Sequence, residues 1–189
     1  MPPSTPAATT QTHPHPTTPG EAMMAELRWV HDAIRRDLAI VRDLSVAVRD
    51  GAPPAVVTDA ISGLQTNGPL WKLRVNCLHY CRFVHSHHHG EDVILFPELR
   101  RTNPALAPVV DKLEADHRVV SDYLDEIEAA VRTLGREDAP ATRERIVTSL
   151  DGLAEHLLAH LAFEEREIAP TILTWESWPV TDWQDRKRT

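Results

Sequence analysis

Four histidines occupy positions where a helical chain is expected to bury apolar side chains, and two of them are followed by a glutamate. The histidines are His31, His87, His117 and His160. Each interrupts a series of apolar residues that recur every three or four positions, which is the spacing of one face of an α-helix. Glu91 and Glu164 each follow a histidine by four residues, so each points to the same side of its helix as that histidine. The sequence therefore predicts histidines and carboxylates inside a helical core.

Metal binding is the chemistry that this combination favours. Burying an unpaired carboxylate costs on the order of several kcal/mol, or forces the group to take up a proton. A cation removes that cost and accepts neutral imidazole nitrogens as further ligands. Mixed imidazole and carboxylate ligands favour iron or manganese, whereas zinc usually takes four ligands in a closed site. Six candidate ligands are too many for one tetrahedral ion, and a carboxylate can bridge two ions, so the pattern indicates a dinuclear site.

Four long amphipathic helices are predicted to position these residues. We expect them over residues 21–50, 70–101, 105–134 and 141–168, with a shorter helix over 55–65. Gly90 and Pro97 predict an irregular, kinked second half of the second long helix, and Pro170 lies just beyond the fourth. Short connections between long amphipathic helices indicate an all-α protein, an up-down-up-down antiparallel four-helix bundle.

The chain divides into three parts. Residues 1–20 are rich in proline and threonine and contain almost nothing to bury, which predicts a disordered tail. Residues 21–170 form the predicted bundle. Residues 171–189 form a Trp-rich C-terminal tail, which either folds back over an apolar patch or covers a partner.

Composition excludes several classes of function. The chain has 28 acidic and 20 basic residues and a formal net charge of -8, with no basic face for nucleic acid. No apolar run approaches the roughly 20 residues of a membrane span. The first twenty residues lack the features of a signal peptide, and two cysteines make no disulfide framework. We therefore expect a cytoplasmic protein that binds neither nucleic acid nor membrane.

Two segments resemble the signature of the hemerythrin-like, or HHE cation-binding, family. They are His-Ser-His-His-His-Gly-Glu-Asp-Val-Ile-Leu-Phe-Pro at 85–97 and His-Leu-Ala-Phe-Glu-Glu-Arg-Glu-Ile-Ala-Pro at 160–170. His31 and the His117 of Glu-Ala-Asp-His match the family's other two ligand-bearing helices, in the family's order. The resemblance covers about residues 21–170. It implies a four-helix bundle with two non-haem iron ions (Fe2+/Fe3+), oxo- or hydroxo-bridged, that bind or react with dioxygen, hydrogen peroxide or nitric oxide.

The resemblance also implies a ligand set and a departure from it. The implied ligands are His31, His87, Glu91, His117, His160 and Glu164. Oxygen carriers of the family have a further histidine four residues before His117, where this chain has Leu113. A water, a neighbouring histidine or an open coordination position could replace it. An open position favours chemistry or sensing, so a peroxide-decomposing, catalase-like enzyme and an iron or oxygen sensor or iron-handling module without turnover remain alternatives.

The choice of residues around the second helix has alternatives. His88 and Asp92 have the same spacing as His87 and Glu91, and His85 lies close by in the sequence. Either pair could therefore supply the ligands.

Further alternatives concern the fourth helix and a cysteine pair. Glu165 could replace its neighbour Glu164, and His156 could be a further ligand or support another one. Cys77 and Cys81, also four residues apart, are interpreted as small buried residues, with a redox-active pair as the alternative.

Overall fold

The structure, a computed structural model, describes residues 18–67, 87, 88 and 90–177, and all regular secondary structure in these ranges is helical. The helices are α1 (Pro19–Arg49), α2 (Pro54–Asn67), α3 (Phe96–Thr102), α4 (Ala107–Leu134) and α5 (Pro140–Ile172), with a π-helical turn at Glu91–Leu95 and a 3-10 turn at Pro104–Leu106. The predicted all-helical class is confirmed for this part of the chain. Cys77, Cys81 and His85 lie outside the described residues. Among the described helices, none pairs the length with the apolar character that crossing a bilayer requires.

Helix α1 begins slightly earlier than the apolar pattern suggests because its first turn is capped. The Thr18 hydroxyl accepts a hydrogen bond from the Glu21 N–H at 3.2 Å, and the Glu21 carboxylate accepts one from the Thr18 N–H at 3.1 Å. Pro19 suits the first turn, where its missing N–H has no helical partner. Gly51 ends the segment with a φ of 83°, in the left-handed region that glycine tolerates.

Helix α5 continues through Pro170, where the sequence suggested that it would stop. A proline leaves one carbonyl of the preceding turn without its donor. Here the proline lies in the last turn, and Ile168 and Ile172 on either side of it are fully buried. Burial of this apolar face stabilises the final turn against the lost hydrogen bond.

Helices α1 and α5 run antiparallel. The Gly20 N–H donates to the Trp175 carbonyl at 3.2 Å, near the start of α1 and the end of α5. At the opposite end of the pair, the Ser45 hydroxyl donates to the Asp151 carboxylate at 2.6 Å. Contacts that move forward along α1 therefore move backward along α5.

Helices α4 and α5 are also antiparallel. Asn103, just before α4, donates to the Thr171 hydroxyl at 2.9 Å, whereas Arg145 near the start of α5 donates to Glu126 late in α4 at 2.8 Å. Helix α5 thus lies between α1 and α4 and contacts both.

The core consists of two apolar clusters. One includes Leu27, Phe96, Leu113, Ile168 and Ile172, and the other includes Ile34, Leu38, Val120, Leu157 and Leu161. Along α1, α4 and α5 alike, the candidate histidine stands between residues of the first cluster and residues of the second. A polar layer therefore separates two apolar halves of the core.

The end of α5 is closed by Trp175, which is buried in the first apolar cluster. Trp175, at the start of the Trp-rich tail, therefore packs against apolar residues of the bundle. Trp178 and Trp183 lie outside the described residues.

Gly20 allows the close approach of the two chain segments, and we expect Gly20→Ala to destabilise the fold. An added Cβ would collide with the Ile172 carbonyl group. Overpacking of this kind lowers the free energy of unfolding by about 2 kcal/mol and Tm by about 5 °C. Thermal unfolding checks this, with Gly135→Ala as the control, because a Cβ there meets only ordinary contacts. Equal Tm values for the two variants would contradict the expectation.

Candidate metal centre

The π-helical turn positions Glu91. The Phe96 N–H donates to the Glu91 carbonyl, five residues back, instead of the residue four back. Pro97, which has no N–H, follows directly. The irregularity predicted from Gly90 and Pro97 therefore takes the form of a widened turn, a feature that often occurs at functional sites.

Histidine and glutamate side chains converge in the polar layer as two groups of potential metal donors. The first group is His88, His117 and His160, and the second is His31, His87 and Glu91. Within each group the donor atoms lie within 4.8 Å of one another. A transition-metal ion holds nitrogen ligands at about 2.1 Å, so ligands of one ion lie within about 4.2 Å of each other. Small side-chain adjustments would therefore let each group hold one ion.

Glu91 reaches both groups. Its Oε1 lies 3.0 Å from the His87 Nε2, in the second group, and its Oε2 lies 3.6 Å from the His117 Nε2, in the first. Each carboxylate oxygen thus faces a different group.

Glu164 occupies an equivalent place on α5. Its Oε2 lies 3.3 Å from the His31 Nε2 and 3.8 Å from the His160 Nε2. Two carboxylates therefore stand between the two groups, in positions suited to bridging a pair of ions.

These carboxylates are buried without hydrogen bonds. Glu91 is 3% exposed and Glu164 is fully buried, and none of their four oxygens accepts a hydrogen bond from a described residue. The Nε2 atoms of His117 and His160 also have no hydrogen-bond partner among the described residues. Native proteins rarely leave buried polar atoms unpaired, so the cluster fits a cation bound between the carboxylates.

On its other side, His31 is held by an outer carboxylate. Its Nδ1 lies 2.7 Å from the Glu165 Oε1, which also accepts a hydrogen bond from Arg35 at 2.8 Å. When the Nδ1–H donates to Glu165, the Nε2 lone pair points toward the centre of the site.

His117 and His160 are oriented in the same way. The His117 Nδ1 lies 2.9 Å from the Asp92 Oδ1, and the His160 Nδ1 lies 3.5 Å from the Asp116 Oδ2. Asp116 is in turn paired with Lys112. Carboxylates that accept from the outer nitrogen of a ligating histidine are the usual supports of metal sites.

Burial keeps His87, His117 and His160 neutral. It lowers the pKa of His87 and of His117 to about 3, with the positive charges of neighbouring histidines as a smaller cause. The pKa of His160 is lowered, again mainly by burial. Neutral imidazole is the form that binds metal ions, so these side chains are ready to ligate at neutral pH.

The two inner carboxylates have opposite pKa shifts. Burial raises the pKa of Glu91 well above its ordinary value, and the nearby Glu164 and Asp92 charges add to the effect. Burial also disfavours the charged form of Glu164, but its pKa is lowered overall because His31 and other nearby histidines favour the carboxylate. Without a cation, Glu91 is therefore the member of the pair that takes up a proton.

The structure brings together all six residues expected from the sequence, His31, His87, Glu91, His117, His160 and Glu164, and adds His88. Adjacent residues of a regular helix point about 100° apart, which made His87 and His88 look like alternatives. Here both are included, with ring centroids 5.8 Å apart, one in each group.

The remaining alternatives from the sequence occupy outer positions. Asp92 and Glu165 contact the Nδ1 atoms of histidines rather than standing between the two groups. His156 lies 3.5 Å from Asp116, in a supporting position. Leu113 is fully buried in an apolar cluster, and the third imidazole of the first group comes from His88 instead.

We expect Glu165→Ala to weaken metal binding about 10- to 100-fold, because His31 would lose the partner that fixes its orientation. Titration of the metal-free protein with a divalent metal measures this change. Glu167→Ala is the control, since the ion pair that Glu167 forms in the described part of the chain is with its neighbour Arg166 and not with a candidate ligand. Equal affinities in both variants would show that Glu165 does not support the site.

The comparisons with known proteins bear on the same residues. A family model described as the hemerythrin HHE cation binding domain matches residues 22–172, which include both donor groups and both inner carboxylates. Neither the curated proteins nor the solved structures compared with the chain gave a significant match. Because the matched residues span most of the sequence, the chain belongs to the hemerythrin HHE cation-binding domain family.

Proposed function

We propose that the chain holds two iron ions between its two donor groups, and that it binds or reacts with dioxygen, hydrogen peroxide or nitric oxide at these ions. His88, His117 and His160 would hold the first ion, and His31 and His87 would hold the second. Glu91 and Glu164, which lie between the two groups, would serve both ions. For the whole domain we propose an up-down-up-down four-helix bundle.

The observation that carries this proposal is the pair of buried carboxylates. Their four oxygens accept no hydrogen bond from a described residue, and histidine Nε2 atoms face them at 3.0 to 3.8 Å. Such an arrangement is costly without a positive charge between the groups. Two divalent ions would supply that charge and would use these four oxygens together with the Nε2 atoms of His117 and His160.

Iron fits the donor set better than its competitors. Imidazole suits zinc, copper, iron and nickel, whereas carboxylate suits magnesium, calcium and manganese. Non-haem iron sites use histidine and carboxylate ligands together. A set of five imidazoles and two carboxylates therefore favours iron, and membership of a cation-binding family supports this choice. Five imidazole nitrogens and four carboxylate oxygens give nine donor atoms for two ions, more than the eight that two closed tetrahedral zinc sites use.

The two groups differ in a way that favours an external ligand at the second. The first has three imidazoles and the second has two, so the ion beside His31 and His87 has room for a small molecule. A ferrous pair held by these residues would supply the electrons for redox chemistry with an oxygen species. The chain provides neutral imidazoles, outer carboxylates that hold them, and apolar clusters on both sides that keep water away.

The presence of His88 removes one argument for peroxide chemistry. That argument depended on a missing imidazole at Leu113, and His88 completes the first group instead. Oxygen carriage, oxygen or iron sensing, and catalytic turnover of peroxide therefore have to be distinguished by measuring how the protein reacts with each small molecule.

The test is to mix iron-loaded, deoxygenated protein separately with dioxygen, hydrogen peroxide and nitric oxide, and to record absorption and oxygen release. A spectrum that reverses on removing the gas indicates binding, and catalytic oxygen release from peroxide indicates an enzyme. Either response should be lost in His160→Ala and kept in Glu155→Ala, an exposed residue of the same helix that belongs to neither donor group. A loaded protein that responds to none of the three would overturn the proposal.

A further inference from the structure

An open cleft of about 390 Å³ leads from the surface to the first donor group. Among the described residues that line it, His88 and His117 are buried, whereas Asp122 and Arg118 are exposed. The cleft therefore has an inner end formed by two candidate ligands and an outer end in solvent.

The lining of the cleft is predominantly acidic. Asp92, Glu114 and Asp122 contribute three carboxylates, against the single guanidinium of Arg118 among the described lining residues, and Glu114 is also paired with Arg100 at 3.2 Å. A concave surface of one sign concentrates ions of the opposite sign and accelerates their arrival. This lining attracts a cation and has little effect on a neutral gas molecule.

The innermost carboxylate of the cleft directly contacts a candidate metal ligand. Asp92 lies 2.9 Å from the His117 Nδ1. The other ring nitrogen, Nε2 of His117, is buried and has no hydrogen-bond partner in the described part of the chain. A hard, hydrated cation can exchange its water for carboxylate oxygens along the cleft before it meets imidazole nitrogen at the inner end.

We propose that this cleft is the route by which a divalent cation reaches the buried centre, and that Asp122, Glu114 and Asp92 bind it in transit. The inference rests on the proposed function, with Fe2+ as the cation, and adds a transit site to it. The donor groups lie between two apolar clusters, so an ion needs such a polar path from solvent.

The test is the rate at which the full-length, metal-free protein takes up Fe2+ without oxygen. Samples mixed with ferrous ion at low ionic strength are quenched at intervals with a chelator that traps unbound iron. Asp122→Asn should slow uptake about three- to tenfold, and Arg118→Gln should accelerate it by a similar factor. Both differences should shrink in 0.5 M salt, where charges are screened within about 4 Å.

Asp43→Asn is the matched control, because Asp43 is an exposed aspartate that does not line the cleft. It should load at the wild-type rate, and all variants should reach the same final iron content. If the Fe2+ uptake rate is the same in wild type, Asp122→Asn and Arg118→Gln, or if Asp43→Asn slows uptake as much as Asp122→Asn, the proposed route is wrong. The proposed metal centre is unaffected by that result. If the wild-type protein never takes up iron, the proposed function fails and this inference fails with it.

Discussion

Glu91→Gln is expected to abolish binding of a metal pair and, in the same protein, to leave the metal-free fold more stable than the wild type. Glutamine has almost the shape of the protonated acid but cannot bridge two cations. At neutral pH the wild-type chain without metal must either bury an unpaired charge or protonate Glu91, because burial raises the pKa of that carboxyl. Removing this penalty should raise the free energy of unfolding by about 1 to 3 kcal/mol.

The difference in the free energy of unfolding between Glu91→Gln and wild type should change with pH in a defined direction. A raised pKa in the folded state means that metal-free wild-type protein loses stability as the pH rises above the ordinary Glu91 value of 4.5. The advantage of Glu91→Gln should therefore be small near pH 4.5 and grow toward pH 7. Denaturant unfolding at several pH values measures it, with Glu167→Gln as a surface control. A metal-free variant that is less stable than wild type at pH 7 would mean that Glu91 is a structural residue and not a ligand.

Iron binding should raise the melting temperature of the wild-type protein strongly. At free ferrous ion about a thousandfold above Kd, binding to the folded state alone adds about 4 kcal/mol. For a domain of this size that corresponds to a rise in Tm of about 10 °C. The physical reason is that the ions neutralise two buried carboxylates and use the Nε2 atoms that otherwise face them.

The control for the thermal shift is His117→Ala, which removes a ligand from the first group and one of the contacts of Glu91. Its Tm should rise much less with iron, and anaerobic calorimetry with and without ferrous ion records both shifts. A similar rise in both proteins would indicate nonspecific binding elsewhere, for example at the acidic surface.

Most of the fold followed from local sequence patterns. The apolar series in α1, α4 and α5 identified these helices because one face of each is buried over many turns. The exact ends did not follow, since the cap at Thr18 and the packing of Ile172 beyond Pro170 depend on neighbouring segments. Contacts between segments far apart in the chain are not visible in local spacing.

The candidate site could be predicted to a similar extent. The six residues of the inner layer stand out because polar groups on an apolar helix face are unusual. His88 was left undecided because adjacent residues of a helix point about 100° apart, and the spacing alone does not show that two donor groups lie side by side.

The outer carboxylates were also beyond local patterns. Asp92 contacts a histidine 25 residues away, and Glu165 contacts one 134 residues away. Such pairs exist only once the helices pack, so the sequence offered these residues as competing ligands rather than as supports.

The most direct test of the central claim is the iron content of the protein reconstituted with ferrous ion under anaerobic conditions. The account predicts two iron ions per chain in the wild type, fewer in His117→Ala and His160→Ala, and two in the surface control Glu155→Ala. A wild-type chain that binds one ion or none, or a His160→Ala chain that still binds two, would contradict a metal pair held between Glu91 and Glu164.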